Sequence, residues 1–140
     1  MKSKELGILH VKPFIPLTAK TQEEVQRKKD LRNFIINNIS NLSEVKNSCK
    51  DAKTVSIEVC FNLYDGDKND ASRYCKDLDN LLKIVLDVLA EYMDNKSIDR
   101  EFGLGIIRND NQVSEIYSYK KFVQVLNLEG IDIAIFEWKD

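Results

Sequence analysis

Asp77, Asp79 and Lys83 open an apolar stretch that runs from Lys76 to Leu89, KDLDNLLKIVLDVL. Side chains two apart on a helix point about 200° from each other, so two helical aspartates at this spacing cannot share a ligand. In extended backbone they face the same way. A helix that begins at Asp79, with Asp77 in the extended segment before it, lets both carboxylates converge. Lys83 then lies one turn above Asp79, on the same face and below Asp87. Two close carboxylates raise each other's proton affinity unless a cation lies between them. Hard oxygen donors of this kind suit Mg²⁺, which takes few protein ligands and keeps water or a phosphate oxygen in its remaining positions. With a lysine beside it, that is the equipment of phosphodiester hydrolysis. The same spacing also serves a plain helix start, with Asp79 as the cap and Lys83 as its i,i+4 partner.

Other elements must position these groups. LGILHVKPF reads as a strand closed by Pro13 and Pro16. Thr21 and Glu24 have the spacing of a capping box, and a helix follows to about Leu42, with Val25, Leu31, Phe34, Ile35, Ile39 and Leu42 on its apolar face. The polar run NNISNLSEVKNSCKD reads as the end of that helix and a bridge. TVSIEVCFNL alternates cleanly, with Val55, Ile57, Val59, Phe61 and Leu63 on one side and Ser56, Glu58, Cys60 and Asn62 on the other, which predicts a half-buried strand. YDGDKNDASRY is a loop with turn chemistry at Asp65-Gly66. The second helix, Asp79 to about Tyr92, is apolar on several sides, which predicts cover from the sheet and from a second subunit. MDNKSIDREFGLG reads as a mobile loop. IIRNDNQVSEIYSYKKF reads as a strand interrupted near Asn109–Asn111, and GIDIAIFEW as the last strand. The expected architecture is α/β or α+β, a small mixed sheet with two main helices in the order β-α-β-α-β-β.

Composition bounds the class. At 140 residues the chain has the length of one domain, residues 1–140, with an ordinary balance of 43% hydrophobic and 31% charged residues. No apolar run reaches about 18 residues, and MKSKELGILHVKPF has no signal-peptide core, so a cytoplasmic protein with no membrane segment is expected. Three scattered cysteines and a single histidine, His10, argue against a disulfide framework and a structural zinc site. The net charge of −2 conceals an asymmetry: residues 1–50 carry +5 and residues 51–140 carry −7. A basic face for nucleic acid can therefore come from the N-terminal third.

DLDNLLKIVLDVL, followed downstream by NDNQVSEIYSYK, resembles the RusA-like Holliday junction resolvases of phages and prophages. Asp77, Asp79, Asn80, Lys83 and Asp87 match the first half of the family pattern, and Asp110, Gln112, Val113 and Lys120 the second. Asn109 stands where the family usually carries a further acid. The resemblance implies a homodimer of mixed α/β fold that binds four-way DNA junctions and nicks two strands symmetrically with Mg²⁺ or Mn²⁺. By position, Asp77, Asp79 and Asp110 would be the catalytic, metal-binding carboxylates and Lys83 the catalytic cation. Arg27, Lys28, Lys29, Arg32, Arg73, Lys76, Lys120 and Lys121 are the candidate DNA contacts. A nuclease for flaps or forks, and an inactive DNA-binding or assembly protein of the same fold, are the alternatives left open.

Overall fold

A computed structural model describes residues 1–16, 24–64, 78–93 and 101–140. Its elements are β1 (Lys2–Val11), α1 (Glu24–Asn38), α2 (Leu42–Cys49), β2 (Val55–Tyr64), α3 (Leu78–Leu89), a 3-10 turn (Asp110–Gln112), β3 (Val113–Val123), a second 3-10 turn (Leu126–Leu128) and β4 (Gly130–Trp138). The fold is mixed α+β. Its four-stranded sheet has the order β1-β4-β2-β3, antiparallel except for the parallel pairing of β2 with β3.

The helices share one face of the sheet. Leu9, Val11, Val55, Ile57, Val59, Phe61, Ile131, Ile133 and Ile135 project from the strands into a core that also holds Leu31 and Ile35 of α1, Val45 and Cys49 of α2, and five residues of α3. Each fully buried aliphatic side chain of this kind contributes about 1.5–3 kcal/mol. α3 buries Leu81, Ile84, Val85, Val88 and Leu89, whereas Leu82 and Leu86 are half-buried beside exposed Asp79, Asn80 and Lys83. The helix therefore has a distinct polar face, and its buried face is narrower than its sequence suggests.

Three expectations change. First, α1 ends at Asn38, and the polar run after it contains a separate helix, α2. Leu42, Val45 and Cys49 recur at helical spacing, and Val45 packs over Gly7 of β1, where there is no side chain to displace it. Second, β2 is buried on both faces: Ser56, Cys60 and Asn62 are each below 9% exposed. A central strand is shielded by its neighbours, and its polar residues there are satisfied. Ser56 Oγ donates to Glu115 at 2.8 Å and Asn62 Nδ2 to Asp132 at 2.9 Å. Third, the interrupted strand begins only at Val113. Ile106 and Ile107 are buried in the core instead of continuing the ladder.

The described part of the expected mobile loop, residues 101–105, is tightly bonded, together with residues 106–108 that follow it. A helix leaves its last carbonyls without internal partners. Here the amides of Leu104, Ile106 and Ile107 donate to Val88, Leu89 and Leu89, and those of Gly103 and Gly105 donate to Glu91 and Ala90, at 2.7–3.1 Å. A Cβ on Gly103 would collide with the Ala90 carbonyl oxygen, so close approach demands glycine there. This return strap finishes α3 and carries the chain directly to Asp110.

Candidate active site

Asp79, Lys83 and Asp87 occupy successive turns of one α3 face, and Asp110 is brought beside them from the 3-10 turn. With Leu82 and Leu86 they line one shallow cleft of about 200 Å³. The larger cavity of about 590 Å³, walled by Phe14, Leu31, Phe61 and Leu81 among others, is mainly apolar and holds none of these acids. The small cleft is the one with chemistry in it.

Asp110 is held by its neighbours. Asn109 is extended (φ −164°) and its side-chain oxygen accepts from the Asn111 amide at 2.9 Å, which starts the turn. Gln112 is buried; its Oε1 accepts from the Arg108 amide at 2.8 Å and its Nε2 donates to the Ala52 carbonyl at 2.7 Å. One amide thus closes the turn and ties it to the segment before β2. Asp110 itself is exposed and projects from a fixed frame.

The cation is organised from α1. Lys83 Nζ lies 2.9 Å from Glu24 Oε1. Lys28 Nζ lies 3.3 Å from the same Glu24 oxygen and 2.7 Å from Asp87 Oδ2, and it also donates to the Met93 carbonyl at 3.3 Å. The alternating chain Lys83–Glu24–Lys28–Asp87 staples α1 to α3. The hydrogen bond from Lys83 holds the Glu24 carboxyl below its ordinary range; partial burial opposes that, and Lys28 adds to it. The same hydrogen bond raises the Lys83 ammonium above its ordinary value. Lys83 keeps 61% of its side chain exposed, so its charge still faces the cleft mouth and solvent.

The remaining sequence candidates divide. Asp77, Arg73 and Lys76 lie outside the described residues. Lys28, read as a surface contact for DNA, is instead 8% exposed and internal to the staple. Lys29 and Arg32 lie 3.4 and 3.7 Å from Glu101, and Arg32 also donates to the Phe102 carbonyl at 2.9 Å. Arg27 is half-buried on α1. Lys120 pairs with Phe61 and so lies on the helix side of the sheet, whereas Lys121, in register with Asn62, lies on the opposite face. Glu24 was missed as a site residue because its position suits a capping box, although Thr21 lies outside the described residues.

The donor set tolerates a hard divalent cation. Asp79 and Asp110 offer carboxylate oxygens at an open cleft, where an ion can keep several waters, the habit of Mg²⁺. Among the described residues no three acids, histidines or cysteines close into a full coordination cage. Also among the described residues, no helix is long and apolar enough to cross a membrane. Compared with known proteins, the chain matches no family model, no curated protein and no solved structure.

Proposed function

We propose that this chain is a Mg²⁺-dependent, structure-specific endodeoxyribonuclease that resolves four-way DNA junctions, acting in the cytoplasm in DNA recombination and repair. The observation that carries the reading is the meeting of Asp79, Lys83 and Asp110, from two separate elements, in one cleft. Asp79 and Asp110, with Asp77, would hold the ion. Bound there, Mg²⁺ or Mn²⁺ would activate water and neutralise phosphate charge. Lys83 supplies a fixed positive charge to the phosphoryl oxygens as charge builds on them. Its raised proton affinity suits that role and makes it a poor general base at neutral pH. Asp79 also lies in the first turn of α3, at the end of the helix nearest the turn that bears Asp110.

Paired nicking needs two such clefts, and β3 supports a homodimer. Among the described residues its only strand neighbour is β2. It exposes Ile116 and Phe122 on the helix side and Tyr117 and Tyr119 on the other. Exposed apolar side chains grouped on one strand invite contact with another chain, and a two-fold protein matches a two-fold junction. The test is nicking of a synthetic four-way junction with Mg²⁺ and with EDTA, beside linear duplex and fork substrates. Binding to the junction without cleavage would favour an inactive DNA-binding protein of the same fold. Equal cleavage of forks would favour a general branched-DNA nuclease.

A further inference from the structure

A second cleft, of about 580 Å³, lies between the end of α2, residues 50–53 and the strap residues 105–108. It is strongly cationic. Lys46, Lys50, Lys53 and Arg108 line it, against one acid, Asp51, on a chain whose net charge is −2. All four cations are exposed, and among the described residues none of them forms an ion pair. The basic residues of α1 are used differently: Lys28, Lys29 and Arg32 already face carboxylates. The helix end explains part of the arrangement, since cations in the last turn of α2 suit its carbonyls. That accounts for Lys46 and Lys50. It does not account for Lys53 or Arg108, which come from two other segments.

One detail connects this cleft to the acidic one. Gln112 lines it, and the same side chain clamps Arg108 to Ala52 and closes the turn bearing Asp110. Gly105 has a positive φ of 68°, and a side chain there would come within 3.5 Å of the Lys46 ammonium.

Resting on the nuclease reading, we propose that this cleft binds the phosphodiester backbone of the DNA strand that runs on to Asp110. Phosphate contacts fix the register of a strand without reading its sequence. Four cations from three segments, of which Arg108 is two residues from the candidate catalytic acid Asp110, are placed to do that. Lys46, Lys50, Lys53 and Arg108 are therefore positioning residues.

The test is fluorescence anisotropy of a labelled four-way junction and a labelled linear duplex, in EDTA, over a series of salt concentrations. The wild-type protein, Lys50→Gln/Lys53→Gln and Lys4→Gln are compared; Lys4 is an exposed β1 cation that lines neither cleft. The double variant is expected to bind about tenfold or more weakly, with the slope of log K against log salt shallower by about 2, one for each phosphate contact removed. Lys4→Gln should change neither by a comparable amount. Wild-type binding with an unchanged slope in the double variant overturns this inference and leaves the nuclease reading standing. No wild-type binding to either DNA overturns both. Amide shifts at Gly105 with inorganic phosphate, without DNA binding, would assign the cleft to a free anion and also overturn the proposal.

Discussion

The Lys83 ammonium lies 2.9 Å from the Glu24 carboxylate, so the cation of the α3 cleft is held by the first turn of α1. Both partners are shifted toward their charged forms. The sign follows from linkage. Glu24 titrates below its ordinary 4.5 when folded, so its contribution is present above about that pH and is lost as pH falls into the folded range. Lys83 titrates above its ordinary 10.5, so its contribution is complete below that pH and is lost as pH rises through the folded value. Urea denaturation between about pH 3 and 6 is expected to show a steeper acid loss in the wild type than in Glu24→Gln. Superimposable acid limbs would show that the pair adds nothing to stability.

Removing the buried end of the staple should be costlier. Lys28 is internal, and its charge balances both Glu24 and Asp87. Lys28→Met fills similar space but leaves two carboxylates facing each other with no cation between them. Because Glu24 and Asp87 keep some solvent contact, a loss of about 1–3 kcal/mol is expected, toward the lower end for a broken buried pair. Chemical denaturation at neutral pH measures it. A loss indistinguishable from zero would make Lys28 a packing residue only.

Gln112 should behave as the frame of Asp110. Gln112→Ala leaves the Arg108 amide and the Ala52 carbonyl without their partner, a penalty of about 1–3 kcal/mol. Nicking by the folded variant should slow as well, since Asp110 loses its anchored turn. A variant with wild-type stability and rate would show that the turn holds itself.

These roles were unevenly legible in the sequence. The strand from Val55 to Leu63 and the helix of α3 announced themselves by their periods, although the alternation of β2 hid the burial of its second face. Asp110 and the α3 acids could be linked only through a resemblance, since nothing local brings them together. α2 was hidden by a polar run in which only Leu42, Val45 and Cys49 keep the helical period. Leu104, Ile106 and Ile107 were an overlooked signal that the strap is core and not loop. The burial of Lys28 is tertiary: one cation among four on α1 turns inward because Asp87 of α3 waits there. Within α1 its spacing to Leu31 and Ile35, three and seven residues on, places it on the buried face, a signal that Lys29 lacks.

The exposed apolar side chains of β3 lead to an assembly prediction. Light scattering at micromolar concentration is expected to give about twice the 16.2 kDa of one chain. Ile116→Lys, a charge among the exposed apolar side chains of β3, should shift that mass toward the monomer. A wild-type monomer, unchanged when junction DNA is added, would remove the dimer and the symmetric nicking with it.

The central claim is that Asp79 and Asp110 make one phosphodiester-cleaving site with Lys83. It is tested most directly by nicking of a labelled four-way junction in Mg²⁺ by the wild type, Asp79→Asn, Asp110→Asn and Lys83→Ala, with junction binding measured alongside in EDTA. The account predicts Mg²⁺-dependent paired nicks by the wild type, none by either asparagine variant although both still bind, and a rate at least about tenfold lower for Lys83→Ala, or about 1.4 kcal/mol of transition-state stabilisation. A wild-type rate from Asp79→Asn or Asp110→Asn, or wild-type cleavage that persists in EDTA, would contradict it.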